Sequence, residues 1–215
     1  MIMHKTKKNI LLAAGSFSLC RYSEDYQPSD AEVTLVARGS ASFRFFLGPD
    51  ERQAKLFSMC IQWDRLLIVE HGNIPIGYAA YFAAGRGVYH PTLRQFFSEY
   101  GYLTAGLRYV VFHFFEYKFS RPQSYLFKLF MLPKYRNKGL GCGLMTGLFE
   151  ELLIKSINQV DLEVYAKNQQ AIKFYKRLGF QVEHIYSLPL LGRFLPGASI
   201  YKMNKKLAKS LESSK

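Results

Sequence analysis

The sequence predicts an α/β protein, because apolar strands alternate with amphipathic helices along the chain. The clearest strand is the nearly unbroken apolar run at 125–132, which is typical of a strand covered on both faces. In the segment that follows, Leu140, Leu144 and Leu148 recur every four residues, which indicates a helix with one core-facing side. At 159–165 apolar and polar residues alternate, as in a strand. These segments together predict a sheet with helices packed on it.

A basic, glycine-rich loop joins the first of these strands to the helix. Pro133 ends the strand, because proline has no N–H group to donate to a neighbouring strand. Glycine then occurs three times within 139–143, although each glycine costs a helix about 1 kcal/mol relative to alanine. The first N–H groups of a helix lack partners and attract anions, and glycine lets an anion approach closely. The loop also contains three basic residues, Lys134, Arg136 and Lys138. We therefore predict a phosphate-binding loop.

The composition favours one domain that binds an anionic ligand. A chain of 215 residues with 49% hydrophobic composition can bury a full core, so we predict a single domain over 1–215, with an N-terminal extension at 1–40 of unassigned function. The net charge of +13 suits an anionic ligand, a nucleic acid or an acidic membrane surface without choosing among them. Cys20, Cys60 and Cys142 form neither a metal-like cluster nor an even set of disulfides, which favours a reducing, cytoplasmic location without a metal.

Residues 3–20 partly resemble a secretory signal, since basic residues precede a short apolar run. Gly15 soon breaks that run, and Leu19 before Cys20 makes a poor cleavage site, so we predict that the segment is not a signal. No stretch approaches the roughly 20 apolar residues of a membrane span.

Two further elements are predicted before the phosphate loop. The segment 48–51 places proline and acidic residues where a helix starts, and we expect that helix to end near Trp63. Strands at 66–70 and 74–81 flank 71–73, whose His-Gly-Asn sequence is typical of a hairpin turn.

An aromatic helical insert is predicted at 84–122. Its first helix starts after Pro91 and ends at Gly101, and its second covers about 103–120. The side of the second helix that we expect to face inward contains Leu107, Val110, Val111, Phe114 and Phe115. The insert either packs on the sheet, forms a wall or lid over a binding pocket, or rests on a membrane surface.

The last third of the chain predicts a short helix between strands. Asn168 can cap the helix and Gly179 can end it in a left-handed conformation. Strands are predicted at 180–187 and 198–205, with a loop at 189–196 between them.

Two motifs in this order and spacing resemble the GNAT superfamily of acyl-CoA-dependent N-acetyltransferases. They are Arg136-x-x-Gly139-x-Gly141 after one strand, and Asn168-x-x-Ala171-x-x-Phe174-Tyr175-x-x-Leu178-Gly179-Phe180 after the next. The resemblance covers about 48–83 and 123–205. It implies a GNAT fold, in which a central mixed and mostly antiparallel sheet is splayed between two parallel strands and flanked by helices.

The resemblance implies acetyl-CoA as the cosubstrate and no metal. Its pyrophosphate would bind the glycine loop, and its pantetheine arm would pair with the strand before the loop. The implied binding residues are Phe130, Met131, Leu132, Arg136, Asn137, Lys138, Gly139, Leu140, Gly141, Cys142, Asn168 and Tyr175. Met131 N–H is the candidate for polarising the thioester carbonyl as it becomes an oxyanion.

In this family a neutral amine attacks the thioester directly, so two proton transfers need residues. Tyr175 matches the family's tyrosine, and a phenol of pKa ~10 can protonate a thiolate whose acid has a pKa of ~8.5. Many relatives carry a carboxylate on the strand before the loop, where this chain offers only Lys128 as an inward polar residue. Glu163 and Glu70 are the substitutes for the base, and Glu116 joins them if the insert covers the site.

The resulting prediction is transfer of an acetyl group from acetyl-CoA to a primary amine of a small molecule or a protein. The alternatives are a protein N-acetyltransferase, a longer acyl donor, and an acyl-CoA-binding sensor or scaffold without turnover. We expect no nucleic acid partner, at most weak peripheral membrane contact, and a monomer or homodimer.

Overall fold

A computed structural model describes residues 10–11, 17–38, 43–120, 122–187 and 199–208. Most of the signal-like segment and the predicted loop at 189–196 lie outside these described residues.

The strands found in the described residues form one sheet of eight, in the order β1-β2-β3-β4-β5-β6-β8-β7. The strands are β1 (Ile10–Leu11), β2 (Phe17–Arg21), β3 (Leu66–His71), β4 (Ile74–Ala83), β5 (Ser124–Met131), β6 (Gln159–Tyr165), β7 (Gln181–Ser187) and β8 (Ser199–Lys206). Neighbouring strands are antiparallel except β5 and β6, which are parallel. The predicted mixed and mostly antiparallel sheet is confirmed.

Helices cover both faces of this sheet and enclose two apolar cores. They are α1 (Asp30–Val36), α2 (Arg44–Leu47), α3 (Asp50–Ser58), α4 (Leu93–Ser120), α5 (Leu140–Ile154) and α6 (Gln169–Arg177). One core contains the leucines of α5 with inward residues of β2 to β6, and the other contains residues of α1 to α4 packed on the opposite face of β3 to β5. The glycine loop and the insert therefore lie on opposite faces of the sheet.

The predicted hairpin is present, and the predicted helix before it is shorter than expected. β3 and β4 pair directly, and Gly72 in their turn has a φ of 63°, which glycine adopts readily. The helix that starts at Asp50 ends at Ser58, and Trp63 instead begins a 3₁₀ turn, Trp63–Arg65.

The insert forms α4, whose two helical segments meet at Gly101. This glycine has non-helical angles, φ 71° and ψ 169°, as the predicted break requires. The predicted inward face of the second segment was wrong in part, because Leu107 and Phe114 are 73% and 66% exposed whereas Phe112 is 4% exposed. Val110, also predicted inward, is 64% exposed. This segment is apolar around most of its circumference, so its hydrophobic period could not select one face.

Candidate active site

A gap opens between β5 and β6 in the middle of the sheet. The two strands pair only at Tyr125 with Asp161 and at Leu126 with Leu162. Beyond those pairs, β5 continues to Met131 and β6 to Tyr165. Backbone N–H and C=O groups along such an edge need partners, so an extended ligand can pair with them.

The register of β4 with β5 decides which backbone groups face this gap. Leu132 N–H donates to Ile76 O at 2.9 Å, and its carbonyl accepts from Tyr135 N–H at 2.9 Å, so both backbone groups of Leu132 are engaged within the protein. Successive residues of a strand direct these groups to opposite neighbours. The N–H groups of Met131 and Leu129 therefore point towards the gap, and strand alternation alone could have identified Leu129.

The glycine loop has the geometry of an anion site at the start of α5. Gly139 precedes the helix with a φ of 76°, and its carbonyl accepts from the N–H groups of Cys142 and Gly143 at 3.0 and 3.1 Å. A Cβ atom at Gly141 would lie 3.5 Å from Phe174, an ordinary contact. Packing thus does not require glycine at 141, whereas close approach of a phosphate at a helix start would favour it.

Basic and polar groups surround this loop. Arg136 Nε donates to Met131 O at 3.1 Å and so ties the loop to the end of β5. Lys134 and Lys138 lie over the ring of Tyr135, at 5.0 and 5.5 Å from its centroid. Asn137 adopts a left-handed conformation with a φ of 59°. The loop therefore offers three cations close to the helix start.

The second motif forms α6, which begins shortly after β6 ends at Tyr165. Asn168 Oδ1 accepts from Ala171 N–H at 3.2 Å, so this side chain caps the helix as predicted. Tyr175 is buried against Phe174 and Phe180, with ring centroids at 5.3 and 5.6 Å. Burial raises the pKa of Tyr175, so the phenol keeps its proton at neutral pH but is a weaker acid than an exposed tyrosine.

The two carboxylates predicted as candidate bases are far apart in the sheet. Glu163 follows directly after the last β5–β6 pair and forms an ion pair with Lys118 of α4 at 3.0 Å, with its side chain 16% exposed. Glu70 is buried on β3, which is separated from β5 by β4. The Lys118 contact also shows that the insert reaches β6 where the gap begins.

Lys128 is the polar residue that β5 offers in place of a carboxylate. Its Nζ donates to Arg38 O at 2.8 Å and lies 5.8 Å from the centroid of the Tyr78 ring. Burial lowers the pKa of Lys128 to about 8, so an appreciable fraction of this amine is neutral in weakly basic solution. A shift in the β4–β5 register leaves Phe127 opposite no residue of β4.

Among the described residues, no group of side chains is arranged to hold a metal ion, and no helix is long and apolar enough to cross a membrane. Cys20 and Cys60 are buried and Cys142 is exposed, all three as free thiols.

Comparison with known proteins identifies the family. The acetyltransferase (GNAT) family model matches residues 39–180. The Escherichia coli ribosomal-protein-S18-alanine N-acetyltransferase superposes with a TM-score of 0.52 at 17% identity, covering 93% of this chain and 99% of that one. Arabidopsis thaliana Naa50, solved with the bisubstrate analogue CoA-Ac-MVNAL, superposes with a TM-score of 0.51 at 17% identity. The match covers 88% of this chain and 98% of Naa50. A GNAT acetyltransferase from Elizabethkingia anophelis with acetyl-CoA bound superposes with a TM-score of 0.52 at 10% identity, covering 90% of this chain and 99% of that one.

No curated protein sequence matches significantly. Since the family model covers more than half of the chain, this protein belongs to the GNAT acetyltransferase family.

Proposed function

We propose that this protein transfers an acetyl group from acetyl-CoA to a primary amine, by direct attack within a ternary complex in the cytoplasm. The observation that carries the proposal is that the part of β5 that no longer pairs with β6 leads directly along the chain into the glycine loop at the start of α5. A ligand with a pyrophosphate at one end and an amide-containing arm fits such a path, because the helix start attracts the phosphates and the open strand pairs with the amides.

In this arrangement the backbone of β5 holds the reacting thioester. Met131 N–H and Leu129 N–H face the gap, and either can donate to the carbonyl oxygen as negative charge develops on it. A donor fixed in this way acts without reorganisation during the reaction, and removing one such donor typically slows catalysis by about 10²–10³-fold.

Two side chains serve the proton transfers. Tyr175 supplies the proton to the departing thiolate. Glu163 is the first candidate for accepting a proton from the amine, directly or through water, because it lies where the strands part and is covered by Lys118. Glu70, on β3, is the second candidate base and is reached only through a longer relay.

The test is release of coenzyme A thiol from acetyl-CoA across a panel of polyamines, amino acids, aminoglycosides and peptide amino termini. Peptides belong in the panel because Naa50 was solved with a peptide-containing analogue. Tyr175→Phe should reduce thiol release with an accepted amine while the affinity for acetyl-CoA stays nearly constant. Unchanged turnover would remove Tyr175 from the mechanism.

Gly141→Asp is the matched test of the phosphate loop. An acidic residue in the first turn stabilises a helix but repels a pyrophosphate, so the protein should fold normally and lose affinity for acetyl-CoA. Thermal stabilisation by acetyl-CoA, present in the natural protein and absent in the variant, is the readout. Retained stabilisation would overturn the loop assignment.

A second candidate function is an acyl-CoA-binding sensor that does not turn over. The observation in its favour is that β5, the strand on which many relatives carry a carboxylate, contains Lys128 and no acidic residue. Stabilisation by acetyl-CoA without thiol release for any amine in the panel would support the sensor.

A further inference from the structure

An aromatic pocket lies between the insert and the sheet. It is lined by Phe43, Phe82, Tyr89, Phe112, Glu116 and Phe127 and contains about 220 Å³ of space, part of it continuous with solvent. The Phe127 ring is its centre, with ring centroids 5.7 Å from Phe43, 5.7 Å from Phe82 and 6.0 Å from Tyr89. Aromatic rings thus form most of the wall, and Glu116 is the one charged residue among those that line it.

The aromatic pocket begins where the gap in the sheet begins. Phe127 is the first residue of β5 beyond the pairs with β6, and it belongs to the core on the α4 face. The glycine loop, by contrast, leads into α5 on the opposite face. An arm that starts at this loop and runs along β5 from Met131 towards Phe127 therefore brings its far end close to the pocket, from the other side of the sheet.

The carboxylate of Glu116 is shielded and lacks a permanent cation. Its side chain is 11% exposed, and its oxygens lie 2.7 Å from His113 Nδ1 and 3.7 Å from His90 Nδ1. Within the described part of the chain, its ion-pair partners are these two imidazoles alone. Burial raises the pKa of the neighbouring Cys60 thiol to about 12, and the negative charge of Glu116 contributes.

We propose that the aromatic pocket binds the ammonium group of the acceptor, with Glu116 as its counter-ion and proton acceptor. The faces of aromatic rings attract cations, because the ring quadrupole places negative charge on the face. The pocket has room for about one water-sized group, which is the size of an ammonium group. The acceptor class that fits is a primary amine on an unbranched alkyl chain. This inference rests on the proposed function and names its substrate class.

The proton balance of the reaction uses Glu116 once per turnover. The ammonium group transfers one proton to the Glu116 carboxylate, which leaves a neutral amine with a free electron pair. That pair attacks the thioester carbon, and the carbon–sulfur bond breaks as the carbonyl re-forms. Tyr175 then protonates the thiolate, and the second proton lost by the nitrogen replaces the proton that Tyr175 gave. The products are an amide, coenzyme A thiol and one proton released through Glu116.

The decisive measurement is binding of n-butylammonium to the full chain with coenzyme A present, by ligand-observed NMR. Glu116→Gln preserves shape and removes the charge, and it should weaken binding at least tenfold. Glu99→Gln is the control, because Glu99 lies in α4 with its side chain 16% exposed and pairs with Arg52 outside the pocket. Phe82→Leu removes one ring face and should weaken binding several-fold. Tert-butylammonium should bind more weakly than the unbranched probe.

The result that overturns the inference is equal binding of n-butylammonium to the natural protein and to Glu116→Gln, or no binding to the natural protein. This failure is distinguishable from failure of the proposed function. If Glu116→Gln still binds acetyl-CoA and releases thiol with an accepted amine as the natural protein does, the acetyltransferase function is supported and the role of this pocket is rejected. If the natural protein does not bind acetyl-CoA, the acetyltransferase function itself is rejected.

Discussion

Replacing Gly147 by alanine measures how closely α5 is pressed against the sheet. A Cβ atom at this position would lie 2.3 Å from Leu19 Cδ2 and 3.2 Å from Leu67 Cδ2. Both leucines are buried, at 1% and 0% exposure, and have little room to move. Overpacking of this kind costs about 1–3 kcal/mol, whereas alanine gains about 1 kcal/mol over glycine within a helix. Because the first contact is so short, we expect the free energy of unfolding to fall by about 2 kcal/mol.

Urea unfolding of the purified proteins measures this change in the free energy of unfolding, with Gly106→Ala as the matched control. Gly106 also lies within a helix, but a Cβ atom there would meet nothing within 4 Å. The control should therefore gain about 1 kcal/mol, and the two substitutions should change stability in opposite directions. A stabilised Gly147→Ala would show that α5 sits farther from β2 and β3 than the structure places it, and would refute the reasoning.

Two further predictions concern side chains near the site. Burial lowers the pKa of Lys128 from 10.5 to about 8. Between pH 8 and pH 10.5 this lysine is therefore mostly protonated in the unfolded chain and mostly neutral in the folded protein. The free energy of unfolding should rise with pH across this interval, by at most about 3 kcal/mol. Lys128→Met should flatten this rise in urea unfolding measured across the interval, and an unchanged pH profile would contradict the assignment. Asn168→Ala removes the cap on Ala171 N–H and should lower the free energy of unfolding by about 1 kcal/mol in the same assay. No loss would show that water replaces this bond.

The parts of the fold that could be predicted from sequence are those fixed by local chemistry. The hairpin depends on the turn at Gly72, and the break in α4 depends on Gly101, both of which adopt a positive φ. The phosphate-binding role of the glycine loop stays a prediction of the same local kind, since glycines in the first turn of a helix are unfavourable unless a ligand approaches them. In each case a few adjacent residues were enough for the prediction.

The orientation of α4 could not be predicted in the same way. Leu107 and Phe112 are both large and apolar, but only Phe112 is buried. The choice between these faces depends on what α4 meets in three dimensions, including Phe43 before α2 and Phe57 of α3. Such contacts between distant segments cannot be read from the spacing of apolar residues within the helix.

The same limit explains why the sequence left the base unassigned. Inspection of β5 finds Lys128 and no carboxylate, which suggests a missing catalytic group when that strand is considered alone. In the folded chain, Phe127 of this strand and Glu116 of α4 line one pocket on the same face of the sheet. If Glu116 accepts the proton, the insert supplies the charge that β5 lacks. Replacing the carboxylate by Glu116→Gln should then lower kcat/KM for an unbranched amine more than Glu163→Gln does. The opposite ranking would indicate that Glu163 is the base.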